Sequence, residues 1–275
     1  HDAGMKPARF RYLRPARLDE ALAVLGEHRD EAKLIAGGQS LVPMLNFRLL
    51  APAVLVDVNR LPDLGAVTVA ADGGLAIGGV TRHRVLEWSA DVAQRFPVVG
   101  AAVKHIGHLA IRNRGTIGGS LAHADPTAEL PLMSVLLDAV ITAASARGER
   151  RIAAAEFFTG TLATALEPHE MITRVTMPGL GERRGWAFEE FARRCGDYAV
   201  AAVGVVMGVS GGRAAAPAIA IGGGGAGPMR AHGAERILAG RVLDDACLAE
   251  VAAAAGAELD PVSGLQVCGE YRRHR

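Results

Sequence analysis

The sequence predicts an α+β protein with a larger N-terminal part and a smaller C-terminal part that contains an antiparallel sheet. Its 275 residues are enough for two domains. Up to about residue 168, short apolar strand patterns alternate with helical patterns, whereas four strand patterns with turns between them follow from residue 171. We therefore expect a boundary near Glu167-Pro168, with domains at 5–168 (sub-parts about 5–58 and 59–168) and 169–275.

The charge and the composition of the chain argue against partners that bind through a strong electrostatic field. Lys and Arg number 30 and Asp and Glu 29, so the net charge of +1 offers no attraction for nucleic acid or an anionic membrane. Aromatic residues make up only 4%, which disfavours base-stacking platforms. No apolar run reaches the roughly 18 residues that a membrane span needs.

Cysteine usage favours a reducing, cytoplasmic location. Cys195, Cys247 and Cys268 are odd in number and widely spaced, with no C-x-x-C or iron–sulfur pattern. His105 and His108 fall on one helical face, but no third ligand follows at a useful spacing, so we expect no metal site. Residues 1–4 resemble the remnant of an expression tag, and residues 1–5 lack the apolar core of a signal peptide.

The first part of the chain reads as a helix, two buried strands and a hairpin. Apolar residues at i, i+3, i+4 and i+7 predict a helix over 18–28. Strands are predicted at 33–36 and 53–58, with Asp57 tethering a loop, and a short helix with Ser40 as its N-cap at 40–45. The turn Asp72-Gly73-Gly74 joins strands at 67–69 and 75–78.

Further along, helices are predicted to alternate with strands. Helical patterns begin at Thr81 and extend over 96–108. Asp125 followed by Pro126 predicts a helix start, with Asp125 as the N-cap acceptor and a helix to about Leu137. A strand at 139–144 and a short apolar segment at 152–162 complete this part.

The C-terminal part is predicted to contain four strands and an Ala-rich helix. The strands fall at 171–177, 186–192, 199–209 and 216–221, and the helix at 248–258. The run Gly222–Gly227 lacks the Lys and Ser/Thr of a Walker loop and the spacing of a dinucleotide fingerprint. We therefore interpret it as a turn.

Two glycine turns dominate the sequence: Ala36-Gly37-Gly38-Gln39-Ser40 and Thr116-Ile117-Gly118-Gly119-Ser120. A glycine pair allows positive φ and close backbone approach to a ligand, and the N–H groups of such a turn can converge on an anion. Each pair alone more often marks only a tight turn. Together, the two could close on one diphosphate from both sides, and we interpret the ligand as FAD.

The residues resemble a known family, the FAD-binding medium subunits of the molybdenum hydroxylases. The most specific match is Ile111 to Ala122, followed by Ala124-Asp125-Pro126 and Glu129. Ala36 to Leu41, Arg194 to Ala199 and Gly269 to Arg273 also match. The resemblance covers nearly all of 5–273. It implies a two-part FAD-binding domain of the vanillyl-alcohol-oxidase/PCMH type, followed by an α+β domain of the CO dehydrogenase flavoprotein type.

The resemblance also implies which residues contact FAD. The first loop comprises Lys33, Leu34, Ile35, Ala36, Gly37, Gly38, Gln39 and Ser40. The second loop comprises Thr116, Ile117, Gly118, Gly119 and Ser120. The hydroxyl and N–H groups of the second loop would bind the diphosphate and the ribityl chain. Glu129 would accept a hydrogen bond from a sugar hydroxyl, as an ionised carboxylate can. Ile106, Ile172 and Tyr198 would line or cover the flavin, although Tyr198 could also be a core aromatic. For Asp125, capping is favoured over cofactor contact.

The sequence departs from the family at one position near the flavin. Many relatives carry a lysine there, which would stabilise an anionic reduced flavin. Here the matching stretch reads Phe188-Glu189-Glu190-Phe191. An acid that points inward would instead destabilise an anionic reduced flavin.

By resemblance, the chain is one link in an electron-transfer complex. A large subunit with molybdenum cofactor would oxidise the substrate, and a small subunit with two [2Fe–2S] clusters would pass electrons to FAD here. FAD would then reduce an external acceptor, so no catalytic residue or metal ligand is expected in this chain. The assembly would be a dimer of heterotrimers. Two alternatives stay open: a stand-alone FAD oxidase or dehydrogenase, and a scaffold subunit that has lost FAD.

Overall fold

The computed structural model describes residues 6–181, 185–261, 263 and 268–274. The predicted tag remnant at residues 1–4 lies outside the described residues. Helices and strands are mixed, as predicted, and the strands form three main sheets. No helix within the described ranges has the length and apolarity that crossing a membrane requires.

The first sheet is parallel and ends at the first glycine turn. Its strand order is β1-β3-β2, and α1 packs on it through buried Ala21, Leu22 and Leu25. The predicted helix at 18–28 and the two strands are confirmed. The elements are β1 (Arg11–Leu13), α1 (Leu18–His28), a 3-10 helix (Arg29–Glu31), β2 (Ala32–Ile35), α2 (Leu41–Asn46) and β3 (Val54–Asp57).

The second sheet is antiparallel and has five strands in the order β4-β5-β10-β6-β7. The predicted hairpin is confirmed as β4 (Val67–Val69) and β5 (Leu75–Gly78). The predicted helix over 96–108 is shorter than expected, because it ends at Val103 and a separate turn of helix begins at Leu109. The other elements are α3 (His83–Trp88), α4 (Ala90–Arg95), α5 (Pro97–Val103), α6 (Leu109–Arg112), α7 (Ile117–His123), α8 (Glu129–Leu136), β6 (Val140–Ser145), β7 (Gly148–Ala153), α9 (Ala154–Phe157), β8 (Phe158–Gly160), β9 (Ala163–Thr164) and β10 (Met171–Met177).

The placement of β10 corrects the sequence analysis. Residues 171–177 were grouped with the later strands, but β10 is the central strand of the second sheet, between β5 and β6. The alternating pattern predicts a strand without identifying its partner. We therefore propose that the domain boundary lies after Met177 rather than near residue 168.

The third sheet is antiparallel in the order β11-β12-β13-β14, as expected for the C-terminal part. The run Gly222–Gly227 spans the end of β13 and its connection to β14. The elements are β11 (Gly185–Ala192), β12 (Ala199–Ser210), β13 (Arg213–Gly222), β14 (Met229–Arg230), α10 (His232–Leu238), α11 (Asp245–Glu258) and α12 (Gly269–His274).

Helix α8 joins the second and third sheets into one core. All eight of its residues are buried, and it packs against α5, β12 and β13. A helix that is apolar on all sides must be covered on all sides. At Gly204 of β12, the Cβ of any other residue would lie 2.7 Å from a methyl carbon of Leu136, so the glycine lets the strand approach the helix closely.

We expect Val175→Ala to lower the free energy of unfolding by roughly 2 kcal/mol, because it creates a cavity beside β5 and β6. Val175 is fully buried in the central strand, opposite Ile77 and Ile141. Val69→Ala, on edge strand β4 where the side chain is 42% exposed, is the control and should cost under about 0.5 kcal/mol. Denaturant titration measures both, and equal losses would contradict the central position of β10.

Candidate functional site

A cavity of about 660 Å³ brings together residues from both glycine turns, β10 and the segment before β12. Its volume falls within the range usual for small-molecule and cofactor sites. Of the eighteen predicted contact residues, sixteen line it: Lys33, Leu34, Ala36, Gly37, Gly38, Gln39, Ser40, Ile106, Thr116, Gly118, Gly119, Ser120, Asp125, Glu129, Ile172 and Tyr198. Ile117 does not, because its side chain is fully buried in the main core, and neither does half-buried Ile35.

The first turn presents free backbone donors to the cavity. It follows β2 at the carboxyl end of the parallel sheet, where ligands commonly bind in α/β folds. The N–H groups of Gly37, Gly38, Gln39 and Ser40 donate to no acceptor within the described ranges. Gly38 has φ +71°, and the side-chain amide of Gln39 donates to the carbonyl of Gly37 at 2.9 Å. The turn therefore has the free N–H groups that an anion site needs.

Ser40 occupies the N-cap position of α2, as predicted, but its side chain makes no capping hydrogen bond. Its backbone is already helical, and the side chain accepts no helix N–H. An N-cap residue needs an extended backbone to turn its oxygen toward the helix. The hydroxyl of Ser40 thus lines the cavity without a capping role.

The second turn differs, because most of its N–H groups are already used. The N–H of Ile117 donates to Thr81 at 3.0 Å and that of Gly118 to Gly79 at 2.9 Å. The Thr116 hydroxyl accepts from Gly119 at 3.1 Å and thereby caps α7. The expected cradle of free N–H groups is therefore found at the first turn and not over 117–119. The side chains of Thr116 and Ser120 are what this turn offers the cavity.

The backbone of the first turn touches the residues that lead directly into the second turn. A Cβ on Gly37 would collide with the carbonyl oxygen of Arg114 and would lie 2.7 Å from the Cα of Gly115. These partners are backbone atoms, which cannot move aside as a flexible side chain can. The glycine is therefore required for contact between the turns, as well as for access to a ligand.

Two side chains that the sequence analysis missed tie the turns together. The Asn59 amide donates to the carbonyl of Ala36 at 2.8 Å, and Arg82 donates to the Asn59 Oδ1 at 2.6 Å. Arg82 also donates to the carbonyl of Arg114. Asp57 accepts from both the backbone and side-chain N–H groups of Asn59, which confirms that Asp57 tethers a loop. No local motif marks Asn59 or Arg82, because their partners lie 23 and 32 residues away.

His83 is a further cavity residue that the sequence did not indicate. Its side chain is buried, and neither ring nitrogen has a hydrogen-bond partner in the described part of the chain. A Cβ on Gly115 would lie 2.7 Å from the ring, so the ring packs directly against the second turn. Burial lowers the pKa of His83 to about 4; the nearby backbone of Thr116 opposes this shift, and the charges of Arg82 and Arg112 add to it. The imidazole is therefore neutral at physiological pH.

The segment before α8 also differs from the prediction. Asp125 was expected to cap a helix beginning at Pro126, but α8 begins at Glu129 with Ala128 as its N-cap. The carboxylate of Asp125 instead accepts from the backbone N–H and hydroxyl of Thr127, at 2.8 and 2.7 Å. Asp and Asn often form such local turns, which compete with a helix start.

Glu129 lines the cavity with a carboxyl group that keeps its proton. Burial is the main cause that raises its pKa to about 8; a hydrogen bond to its own backbone opposes this shift, and the charges of Glu190 and Asp125 add to it. The sequence analysis expected an ionised carboxylate that only accepts. At neutral pH the neutral group can both donate and accept a hydrogen bond.

The other end of the cavity has apolar walls from distant parts of the chain. Ile172 is buried on β10, and Ile106 is half-buried in the loop after α5. Tyr198 lies just before β12 and its side chain is 70% exposed at the cavity wall. Desolvation raises the pKa of Tyr198, as do the nearby charges of Asp125 and Glu129. An exposed ring of this kind can cover a planar ligand.

The two acids on β11 point in opposite directions. Glu189 is exposed, whereas only 2% of the Glu190 side chain is exposed. One oxygen of Glu190 lies 3.6 Å from the Nδ1 of His105, and the other has no partner among the described residues. Desolvation raises the pKa of Glu190 despite the opposing effect of His105. No group of three or more His, Cys, Asp or Glu in the described ranges could hold a metal ion.

Comparison with known proteins finds a family model that matches each of the two parts of the chain. Residues 8–180 match the family model described as the FAD binding domain in molybdopterin dehydrogenase. Residues 186–275 match the model of the CO dehydrogenase flavoprotein C-terminal domain. The chain is also 43% identical to subunit alpha of the 6-hydroxypseudooxynicotine dehydrogenase complex of Paenarthrobacter nicotinovorans, over 98% of this chain and 90% of that protein.

Solved structures match over the same length. A chain of carbon monoxide dehydrogenase from Hydrogenophaga pseudoflava superposes with a TM-score of 0.94 at 36% identity, covering 98% of this chain and 93% of that one. A chain of quinoline 2-oxidoreductase from Pseudomonas putida 86 superposes with a TM-score of 0.93 at 37% identity, with the same coverage. The arrangement of the three sheets is therefore that of a known family.

We expect Gly37→Ala to weaken FAD binding by at least roughly tenfold, because the new Cβ would force the two turns apart. A tenfold loss of affinity corresponds to a loss of about 1.4 kcal/mol in binding free energy. Gly26→Ala is the matched control, since no atom lies within 4 Å of a Cβ there and Ala favours helix α1. Titration of FAD into the apoprotein measures both affinities. Unchanged affinity in Gly37→Ala would contradict the role assigned to the turn contact.

We expect the stability of the wild type to fall relative to Glu129→Gln as pH rises. The unfolded chain releases the Glu129 proton above its ordinary pKa of 4.5, whereas the folded chain keeps it until about 8. The stabilisation is therefore complete below pH 4.5 and lost by about pH 8, a change of roughly 4 kcal/mol between pH 5 and 8.5. Denaturant titrations at both pH values test this, with exposed Glu189→Gln as the control. Parallel wild-type and Glu129→Gln curves would contradict it.

Proposed function

Because the chain belongs to the FAD-binding subunits of the molybdenum hydroxylases, we propose that it carries electrons from iron–sulfur clusters of a partner to an external acceptor. The partners would be a small subunit with [2Fe–2S] clusters and a large subunit with molybdenum cofactor. They would assemble as a dimer of heterotrimers in the cytoplasm. The cavity formed by the two joined glycine turns is the observation that carries this proposal.

The residues that line the cavity suit three parts of FAD: the diphosphate, a sugar hydroxyl and the flavin ring. The free N–H groups of the first turn suit a diphosphate, and the hydroxyls of Ser40, Thr116 and Ser120 add donors along the cavity. Glu129 suits a sugar hydroxyl. Ile106, Ile172 and Tyr198 suit a flat apolar ring system.

The protein's own task in this function is to bind and to orient. Bound FAD would supply the redox chemistry, because a flavin accepts electrons singly and can release them in pairs. The first turn would fix the anionic middle of the cofactor, while Ile106 and Ile172 exclude water from one side of the ring. Substrate specificity would reside in the molybdenum subunit.

The test is to purify the complex from native cells, record its visible spectrum and count its chains. We expect bound FAD, iron–sulfur absorbance and two partner subunits, with flavin reduced only after the clusters when substrate is added. A lone FAD-bearing chain that oxidises a substrate would favour a stand-alone flavoenzyme. A chain that takes up no FAD even on incubation would indicate a scaffold subunit.

A further inference from the structure

Arg112 is a largely buried cation that does not itself line the cavity. It is the last residue of α6, and its side chain is 13% exposed. It belongs to the stretch Ile111 to Ala122, which leads into the second glycine turn. A guanidinium carries five N–H donors and no acceptor, so a buried one needs several acceptors around it. The acceptors that Arg112 uses show what it holds in place.

One group of acceptors is the backbone of the loop at 104–107, between α5 and α6. The Nη1 of Arg112 donates to the carbonyls of Lys104, Ile106 and Gly107, at 3.2, 3.1 and 3.1 Å. No backbone N–H within the described ranges donates to these three carbonyls. Carbonyl groups that are shielded from water need a partner, and a single side chain provides it here. Arg112 therefore holds the 104–107 loop in its shape.

The other acceptor is Glu87 of α3, which fixes Arg112 itself. The Nε of Arg112 donates to the Oε2 of Glu87 at 3.1 Å, and the Nη1 of Arg84 donates to the same oxygen at 2.8 Å. Burial opposes the ionisation of Glu87, but the hydrogen bonds from Arg84 and Arg112 and their charges lower its pKa overall. Hydrogen bonds between two charged groups are about twice as strong as neutral ones. The guanidinium of Arg112 is therefore anchored to α3 in one orientation.

The 104–107 loop forms part of the apolar end of the cavity. Ile106 and Gly107 both line it. A Cβ on Gly196 would lie 2.8 Å from the carbonyl oxygen of Gly107, so the segment that carries Tyr198 packs directly on this loop. Through the loop, Arg112 thus supports both Ile106 and Tyr198, which are the residues that suit the flavin ring.

The diphosphate end of the cavity is held independently of the Arg112 side chain. Asn59 and Arg82 join the first turn to the carbonyl of Arg114. The backbone before the second turn is closed by the N–H of Gly115, which donates to the carbonyl of Ile111 at 2.7 Å. Loss of the guanidinium should therefore loosen the flavin end and leave the diphosphate end in place.

We propose that Arg112 is a positioning residue for the flavin half of the cofactor, and that it acts through the carbonyls of the 104–107 loop. The inference rests on the proposed function, because it requires that the cavity bind FAD. Bound FAD would supply the redox chemistry, and the protein must hold its ring in one place and orientation. Arg112 meets that requirement by fixing the wall against which the ring lies.

The test titrates the full chain with FAD and with ADP, which contains the adenosine and the diphosphate but no flavin. Arg112→Lys keeps the charge, but a compact ammonium cannot reach Glu87 and the loop carbonyls together as the planar fork does. We expect this variant to bind FAD roughly tenfold or more weakly, the scale set by the loss of charge-assisted hydrogen bonds, and to bind ADP like the wild type. Arg241→Lys is the matched control, because Arg241 pairs with Glu250 at 3.2 Å and neither residue lines the cavity.

Arg82→Lys gives the opposite comparison. Lysine cannot replace the two hydrogen bonds that Arg82 donates, to Asn59 and to the carbonyl of Arg114. We expect this variant to lose affinity for both FAD and ADP, since the contact between the turns serves the diphosphate that the two ligands share. The contrast between Arg82→Lys and Arg112→Lys therefore separates the two ends of the cavity.

A milder variant keeps the proposal testable if Arg112→Lys fails to fold. Glu87→Gln retains an oxygen that can accept from Arg112 but removes the charge that anchors it. We expect a smaller loss of FAD affinity, again with ADP binding unchanged. The visible spectrum of bound FAD is a second readout: the flavin band should show resolved shoulders in the wild type, where apolar walls exclude water, and resemble that of free FAD more closely in both variants.

The outcomes separate this inference from the proposed function. Equal losses of FAD and ADP affinity in Arg112→Lys would indicate a general structural role and overturn the positioning of the flavin. Unchanged FAD affinity and an unchanged flavin spectrum in Arg112→Lys and Glu87→Gln would also overturn it, while FAD binding by the wild type would leave the proposed function intact. A wild-type chain that binds no FAD would overturn the proposed function itself.

Discussion

The structure depends on close contact between backbones at the cavity wall. Gly37 lies against the carbonyl of Arg114, Gly118 lies against Gly79, and Gly79 lies against the carbonyl of Ile172 on β10. At each of these glycines a Cβ would collide with a backbone oxygen. Four segments distant in sequence thereby form one wall, and the cavity takes its shape from backbone positions that side-chain motion does not alter.

The hydrogen bonds around Asn59 and Arg82 explain how this contact is kept. Glycine permits two turns to approach but provides nothing that attracts them. Asn59 and Arg82 supply that attraction by linking the carbonyls of Ala36 and Arg114, and Asp57 fixes the amide of Asn59. Because these bonds end on the backbone of Ala36 and Arg114, they hold the first turn against the residues that lead into the second turn. A ligand that contacts both turns thus meets a site that is already formed.

Much of the fold could be predicted from patterns of neighbouring residues in the sequence. The predictions that were wrong or missing share one physical cause. The helix at 18–28 could be predicted from the helical spacing of its apolar residues, and the hairpin at 67–78 from the glycine turn between its strands. The partner of β10, the true start of α8 and the roles of Asn59, Arg82 and His83 depend on contacts made after folding. In the site, the two glycine turns could be identified because family motifs surround them, since a glycine pair alone more often marks only a tight turn. The commitment of the second turn's N–H groups to Thr81, Gly79 and Thr116 was not visible, since those acceptors are set by tertiary packing.

The burial of α8 links the fold to the chemistry of the cavity. The helix must be enclosed because all its faces are apolar, and Glu129 is its first residue, so the carboxyl is buried along with it. An acid buried in this way stays neutral at a pH where an exposed one would ionise. Enclosing one helix between two sheets therefore places a carboxyl group that keeps its proton at neutral pH in the wall of the cofactor cavity.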